Sequence, residues 1–148
     1  MEKIVLRNIE DTRALGQRIA EGLKPGSIIA LTGPLGAGKT TLAQMIARGL
    51  CVTERMASPT FTIVQEYESG RLPLFHFDVY RVSDPDELFE IGFDEYLHAG
   101  GVCLIEWADL IEDILPPETV WVRLEYGEDE DERICSIEDP GLKSGVLE

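Results

Sequence analysis

Short apolar runs alternate with amphipathic segments along the first third of the chain, and this pattern predicts strands separated by helices. Residues 27–31 form a continuous apolar run of the kind found in buried strands. Residues 41–50 then carry Leu42, Ile46 and Leu50 four positions apart, which predicts a helix with one buried face. The order strand, loop, helix is therefore expected around residues 33–40.

The rest of the chain continues this alternation and then turns to strands. Residues 102–107 contain a second continuous apolar run, which is followed by the acid Glu106. Asp84 is expected to cap a helix with Pro85 in its first turn, and Gly92 is expected to divide that helix into two short ones. Further elements are predicted at residues 3–7 (a strand), 8–23 (a helix capped by Asn8 or Asp11), 61–68 with 72–77 (a hairpin), 109–114 (a helix), and 119–126 with 134–137 (an antiparallel pair).

Residues 33–40 fit the Walker A pattern G-x-x-x-x-G-K-[ST] at every fixed position. Glycines let backbone amides approach phosphate oxygens, and the following helix adds its positive end. In this pattern Lys39 reaches the β and γ phosphates and the Thr40 hydroxyl ligates Mg²⁺. The predicted nucleotide-binding residues are Gly33, Pro34, Leu35, Gly36, Ala37, Gly38, Lys39, Thr40 and Thr41.

These elements predict one α/β domain over residues 1–148, with a loose tail at 139–148. The run at 102–107 is typical of a central parallel strand, whereas the predicted hairpin and the pair near the C-terminus are antiparallel. The length of 148 residues and a hydrophobic content of 44% are ordinary for one such domain.

Two acids stand at strand ends, where open α/β sheets bind their ligands: Asp78 and Glu106. A phosphate-loop NTPase needs one carboxylate that holds Mg²⁺ opposite the Walker A hydroxyl. Glu106 follows the more continuous apolar run, which favours it for the metal. Asp78 closes a hairpin, so its strand is expected to be more peripheral and its role to be water positioning or sensing. For each acid the alternative is a helix cap or a surface group.

Two other side chains, Trp107 and Arg81, leave alternatives open. Trp107 either packs on the nucleotide or fills the core, and core packing is the commoner role of an aromatic residue. Arg81 either stabilises the γ-phosphate or makes a surface ion pair. His76 has no neighbour in the sequence that suggests catalysis, so it receives no role.

The net charge of −15 argues against direct, tight binding of nucleic acid, because such binding is driven by lysine and arginine. No apolar stretch approaches the length of a membrane span, and the N-terminus does not resemble a signal peptide. The three cysteines are far apart and lack C-x-x-C spacing, so we expect reduced thiols in a cytoplasmic protein and no structural metal.

Missing motifs narrow the class of NTPase. No N-K-x-D sequence supports a GTPase, and no Ser-Gly-Gly-Gln signature supports a transporter ATPase. No arginine-rich lid follows the phosphate loop, which weakens a small-molecule kinase, whose acceptor pocket would have to come from residues 82–101. A compact ATPase remains the leading hypothesis.

Four motifs in this order resemble the TsaE family, the small ATPases of bacterial tRNA threonylcarbamoyladenosine biosynthesis. They are GPLGAGKTT at 33–41, SPTFT at 58–62, HFDVYR at 76–81 and IEW at 105–107. The resemblance implies the three-layer α/β fold of phosphate-loop NTPases, with a central parallel sheet and antiparallel edge strands. It implies that Lys39 and Thr40 bind phosphate and Mg²⁺ and that Glu106 completes the metal site. It also implies that Asp78 is a catalytic acid, that Thr60 lies in a switch-like catalytic loop, and that Trp107 is close to the ATP.

The resemblance further implies a protein complex with the TsaB–TsaD transferase pair, which modifies the adenosine next to the tRNA anticodon. The acidic charge fits indirect contact with tRNA through that complex. ATP would order the loop around Thr60 and dock the chain, and hydrolysis would reset the partners. There are two alternatives: a nucleotide-dependent binding module with incidental hydrolysis, and a small-molecule kinase.

Overall fold

Seven strands form a single mixed sheet in the computed structural model, which describes residues 2–56 and 63–140. The strands are β1 (Glu2–Leu6), β2 (Ile28–Thr32), β3 (Val64–Tyr67), β4 (Leu74–Asp78), β5 (Val102–Glu106), β6 (Val120–Tyr126) and β7 (Arg133–Glu138). The helices are α1 (Ile9–Glu21), α2 (Lys39–Gly49), α3 (Asp86–Glu90), α4 (Phe93–Leu97) and a 3₁₀ helix, Ala108–Ile114.

The centre of the sheet is parallel and its edges are antiparallel. The strand order is β1-β7-β6-β2-β5-β4-β3. β2 runs parallel to both β5 and β6, and β4 runs parallel to β5. β3 pairs antiparallel with β4, and β7 pairs antiparallel with β6 and β1. The predicted fold class, a parallel centre with antiparallel edge strands, is confirmed.

Helices cover both faces of the sheet, so the core has two halves. On one face α1 and α2 bury Ile19, Leu42 and Ile46 against the sheet. On the other face α3, α4 and the 3₁₀ helix bury residues that include Leu88 and Phe93. Residues 82–101, from which a kinase would have to build its acceptor pocket, therefore contribute to a packed layer of the domain.

Local signals explain where the helices begin and end. The Asn8 side chain accepts a hydrogen bond from the Asp11 amide at 3.0 Å, so Asn8 caps α1. Gly92 adopts a φ of 86° between α3 and α4 and divides them as predicted. The predicted start of α3 is one residue early: Pro85 is the N-cap, and the Asp84 carboxylate accepts from the Asp86 amide at 3.0 Å.

β4 lies inside the sheet, with β5 on one side and β3 on the other. From the sequence, the strand that ends in Asp78 is expected to be peripheral. It is the second strand from the edge, because β3 pairs with it on its outer side. Along the parallel pair of β4 and β5, Asp78 is directly opposite Glu106. The two acids therefore lie side by side at the carboxyl ends of neighbouring parallel strands.

Two sequence predictions fall outside the described residues. They are the switch-like loop around Ser58, Pro59 and Thr60 and most of the predicted tail, residues 141–148. Within residues 2–56 and 63–140, no helix has both the length and the apolar character needed to cross a membrane.

The cysteines provide a test of this packing. Cys103 and Cys135 are buried, and burial raises the pKa of each thiol to about 12, whereas Cys51 is exposed. The thiolate is the reactive form, and at pH 8 a thiol with that pKa is ionised in about one molecule in 10⁴. We expect an aromatic disulfide reagent to label one thiol rapidly in the native protein and the other two only after unfolding.

Cys51→Ser is the matched control and should abolish the rapid phase while leaving the slow labelling unchanged. Rapid reaction of two or three thiols in the native wild type would contradict the packing of β5 and β7 described here.

Candidate functional site

The loop at residues 33–40 connects the end of β2 to the start of α2, and glycine is required at two of its positions. Gly33 has a φ of 142°, and a Cβ atom there would lie 2.3 Å from the carbonyl oxygen of Leu124. Gly38 is the N-cap of α2 with a φ of 100°. Residues other than glycine rarely adopt these φ angles, so the glycines allow the loop to turn tightly against β6.

The first turn of α2 points its backbone amides into the space that this loop surrounds. The amides of Lys39, Thr40 and Thr41 lack intrahelical partners because no turn precedes them, and Gly38 has no side chain that could cap them. The helix dipole adds partial positive charge at the same end. Together these groups form a site suited to an anion with several oxygens, such as a polyphosphate.

Lys39 is almost fully buried beside the loop. Its Nζ donates to the carbonyl oxygens of Gly33 at 2.7 Å and Pro34 at 2.9 Å, and it lies 4.0 Å from the centre of the Trp107 ring. Burial lowers the pKa of Lys39, and the charges of Glu106, Asp109 and Asp78 oppose this shift. The acids and the aromatic ring therefore favour a charged ammonium group close to the first-turn amides of α2.

The Walker A hydroxyl and the acid of β5 are in direct contact. Thr40 Oγ1 donates a hydrogen bond of 2.9 Å to Glu106 Oε1, although the two residues are 66 positions apart. Glu106 is only 2% exposed. This contact brings a hydroxyl and a carboxylate to one point beside the first turn of α2, and both are oxygen ligands of the type that Mg²⁺ prefers.

A second bond holds the other oxygen of the same carboxylate. His76 Nε2 lies 2.6 Å from Glu106 Oε2, and the His76 side chain is fully buried in β4. Sequence reasoning missed this residue, since its partner is 30 positions away and only the parallel pairing of β4 with β5 brings them together. The available signal was spacing: His76 precedes Asp78 by two positions and so points to the same face of the strand.

Asp78 lies at the end of β4, beside Glu106 but held separately. Its Oδ1 accepts from the Tyr80 amide at 3.0 Å, and its own amide donates to the Ile63 carbonyl at 2.8 Å. Burial raises the pKa of Asp78, and the charge of Glu106 raises it further; the Tyr80 bond and the charges of His76 and Lys39 act in the opposite direction. Asp78 therefore accepts a proton more readily than an ordinary aspartate does.

Aromatic side chains line one side of the loop. Trp107 has a left-handed backbone with a φ of 62°, and its ring packs against Tyr80 with the centroids 4.6 Å apart. Trp107 is half-buried and supports the Lys39 ammonium, so it belongs to the site as well as to the packing behind it. On the opposite side the Tyr126 hydroxyl donates to the Leu35 carbonyl oxygen and ties the loop to β6.

These groups surround one open cavity of about 650 Å³. Its lining combines the loop, the two strand-end acids and the aromatic wall: Leu35, Gly36, Gly38, Lys39, Thr40, Thr41, Ile63, Asp78, Tyr80, Arg81, Glu106 and Trp107. The volume is in the range of small-molecule ligand sites.

Most of the predicted site residues meet at this cavity. Gly33 and Pro34 contribute through their carbonyls, which accept from Lys39, and Ala37 is buried in the core below the loop. Thr60 lies outside the described residues. The residues that sequence reasoning did not assign are His76, Tyr80 and Tyr126.

Comparisons with known proteins agree with this architecture. The family model for "Threonylcarbamoyl adenosine biosynthesis protein TsaE" matches residues 6–135. A tRNA threonylcarbamoyladenosine biosynthesis protein TsaE from Bacillus subtilis is 47% identical over 127 residues, covering 86% of this chain and 79% of the relative. Its counterpart in Rickettsia felis is 38% identical over 146 residues, covering 98% of this chain and 84% of the relative.

A solved structure gives the same result for the fold. The crystal structure of YdiB from Bacillus subtilis superposes with a TM-score of 0.83 at 41% sequence identity, covering 99% of this chain and 90% of that one. The sheet with its loop at residues 33–40 is a phosphate-loop fold. The match to the family model over most of the chain, together with these relatives, shows that the chain belongs to the TsaE family.

Proposed function

We propose that this protein binds ATP with Mg²⁺, hydrolyses it slowly on its own, and supports tRNA threonylcarbamoyladenosine modification by acting on a TsaB–TsaD-type transferase complex. The observation that carries the proposal is the contact between Thr40 Oγ1 and Glu106 Oε1. It joins the hydroxyl and the carboxylate that a phosphate-loop NTPase uses for its metal, beside the amides that bind phosphate.

The phosphates would be held by the loop and by the start of α2. The free amides and the helix dipole favour the negative oxygens, and Lys39 would exchange its bonds to the Gly33 and Pro34 carbonyls for stronger bonds to phosphate. Lys39 is already desolvated and close to the loop, so this exchange requires only a short movement of the side chain. Tyr126 would hold the loop at Leu35 during the exchange.

Thr40 and Glu106 are the residues that would hold Mg²⁺. Their oxygens are hard ligands, and Mg²⁺ in nucleotide sites is bound by one or two protein groups together with water and phosphate oxygens. The cation would neutralise charge on the β and γ phosphates. The fit is supported by the adjacent Asp78 and Glu106 carboxylates, because two neighbouring negative groups are stabilised by a cation.

Hydrolysis would transfer the γ-phosphoryl group to water, with the bond to the β-phosphate oxygen breaking and ADP leaving. Asp78 is the group suited to orient that water and to accept its proton, because it faces the cavity and its pKa is raised. Trp107 and Tyr80 would shield one side of the reacting phosphate from solvent. Arg81 lines the same cavity and is exposed, so a partner protein could reposition it.

Charge and family membership both support a partner complex. A net charge of −15 disfavours direct, tight binding to tRNA, which supports an effect on tRNA modification through a protein intermediary. The TsaB–TsaD-type pair is that intermediary in the proposal. Nucleotide occupancy at the cavity would control docking, and hydrolysis would release or reset the pair.

Removal of the Lys39 ammonium tests phosphate binding. Lys39→Ala should weaken ATP binding by about 10- to 150-fold, as expected when charge-assisted hydrogen bonds worth about 1.5–3 kcal/mol are lost. Isothermal titration calorimetry with ATP measures the affinity. Lys3→Ala on β1 is the matched control and should bind like the wild type; equal affinity of Lys39→Ala and wild type would exclude Lys39 from the phosphate site.

The metal acid separates hydrolysis from binding. Glu106→Gln should still bind ATP, while its turnover with Mg²⁺ falls by about two orders of magnitude, because a metal interaction worth several kcal/mol is lost. Phosphate release measures the rate, and the exposed Glu112→Gln variant is the control for the same chemical change. If Glu106→Gln abolishes turnover but still supports modification of tRNA by the complex, the chain acts as a nucleotide-dependent binding module and hydrolysis is incidental.

Partner dependence is tested by adding the transferase pair. Turnover by the isolated protein should be slow and should rise with TsaB–TsaD, towards the factor of about 10³–10⁵ that a supplied cationic group can contribute. Affinity capture of the pair should depend on ATP and be lost in Lys39→Ala. Fast turnover by the isolated protein, with no gain from the partners, would refute the proposed coupling.

A further inference from the structure

His76 is a fully buried polar residue that has no role in the proposed binding or hydrolysis of ATP. It lies in the middle of β4, opposite Leu104 of β5 and Gln65 of β3. A polar side chain in such a position costs free energy unless it is hydrogen-bonded. The bond that it makes is to Glu106, the acid assigned to the metal.

The two oxygens of the Glu106 carboxylate are held by different elements of the fold. Oε1 accepts from Thr40 of α2 at 2.9 Å, and Oε2 lies 2.6 Å from His76 Nε2 of β4. A glutamate carboxylate otherwise rotates over a broad range about its last torsion. Anchoring both oxygens fixes the plane of the group and determines which oxygen faces Thr40.

The direction of the His76 bond follows from the chemistry of its partner. A carboxylate that ligates Mg²⁺ only accepts hydrogen bonds, so in the proposed function the hydrogen of this bond is on His76 Nε2. His76 Nδ1 has no hydrogen-bond partner among the residues that the structure describes. Within that part of the chain, the polar contact of the ring is therefore directed to Glu106 alone.

We propose that His76 is a positioning residue that orients the Glu106 carboxylate so that Oε1 is presented to Thr40 and to Mg²⁺. The inference rests on the proposed function, since it assigns His76 to the metal site. Hydrogen bonds to metal ligands typically change metal affinity or activity by about 10- to 100-fold when they are removed. The position of His76 on the strand before Asp78 lets β4 support both acids of the cavity.

Two substitutions separate this role from simple packing. His76→Leu replaces the imidazole with an apolar side chain of similar size and removes the donor to Oε2. His76→Gln keeps a donor, because its amide nitrogen is the same number of bonds from Cα as the histidine Nε2. His76→Asn provides a polar side chain whose nitrogen is one bond shorter and does not reach Oε2.

The measurement is calorimetric binding of a non-hydrolysable ATP analogue, first in EDTA and then at increasing Mg²⁺ concentration. We expect His76→Leu and His76→Asn to raise the Mg²⁺ concentration for half-maximal effect by about 10- to 100-fold. His76→Gln should recover most of that loss. Affinity in EDTA, which depends on Lys39 and the loop amides, should be the same in all four proteins.

Phe75→Leu is the control for loss of stability alone. Phe75 is next to His76, points to the opposite half of the core, and packs on Tyr96. It should lower the thermal midpoint while leaving the Mg²⁺ response unchanged. If His76→Leu fails to fold, the comparison of His76→Gln with His76→Asn decides the question by itself.

Each other outcome contradicts the inference. Equal Mg²⁺ responses in the leucine, glutamine and asparagine variants, or a loss of affinity in EDTA as large as the loss in Mg²⁺, would show that His76 only supports the fold. If the wild type itself gains nothing from Mg²⁺, the proposed function fails together with the inference. A normal wild-type response with no change in His76→Leu removes the inference alone.

Discussion

The buried carboxylate of Glu106 is the constraint on which the rest of the site depends. At 2% exposure it has lost most of its contact with water, and burial of an unpaired charge is costly. The fold compensates with a donor to each oxygen, Thr40 on one side and His76 on the other, and with the Lys39 ammonium close by. The loop, α2 and strands β4 and β5 are therefore joined by one group.

The topology of the sheet explains why these residues meet. β2 lies between β5 and β6, and all three run in the same direction, so the loop after β2 and the acid ending β5 emerge on one edge. β4 continues this arrangement and brings Asp78 beside Glu106. Open α/β sheets bind their ligands at this edge because helix N-termini and strand ends converge there. The antiparallel strands extend the sheet on both sides, so none of the parallel strands lies at an open edge of the sheet.

The sequence predicted the loop, the strand-end acids and the fold class because each is encoded by a local signal. The Walker A spacing, the apolar run before Glu106 and the turn glycine at position 92 all act within a few residues. His76 and Tyr126 could not be assigned in this way, since their partners are 30 and 91 positions away. Their roles depend on strand register and on the angle between the loop and β6, which are properties of the folded chain. The assignment of Thr60 stays a prediction.

The charges around the cavity explain why a divalent cation and the nucleotide should bind together. Three acids, Glu106, Asp109 and Asp78, act on the ammonium of Lys39, and in the proposed function ATP would add further negative charge at the same place. The loop amides and the helix dipole attract phosphate, but they do not offset repulsion between a γ-phosphate and two neighbouring carboxylates. In the proposed function, Mg²⁺ held by Thr40 and Glu106 would offset that repulsion. Under the proposed function, phosphate binding would therefore need the loop, whereas productive placement of the γ-phosphate would need the metal as well.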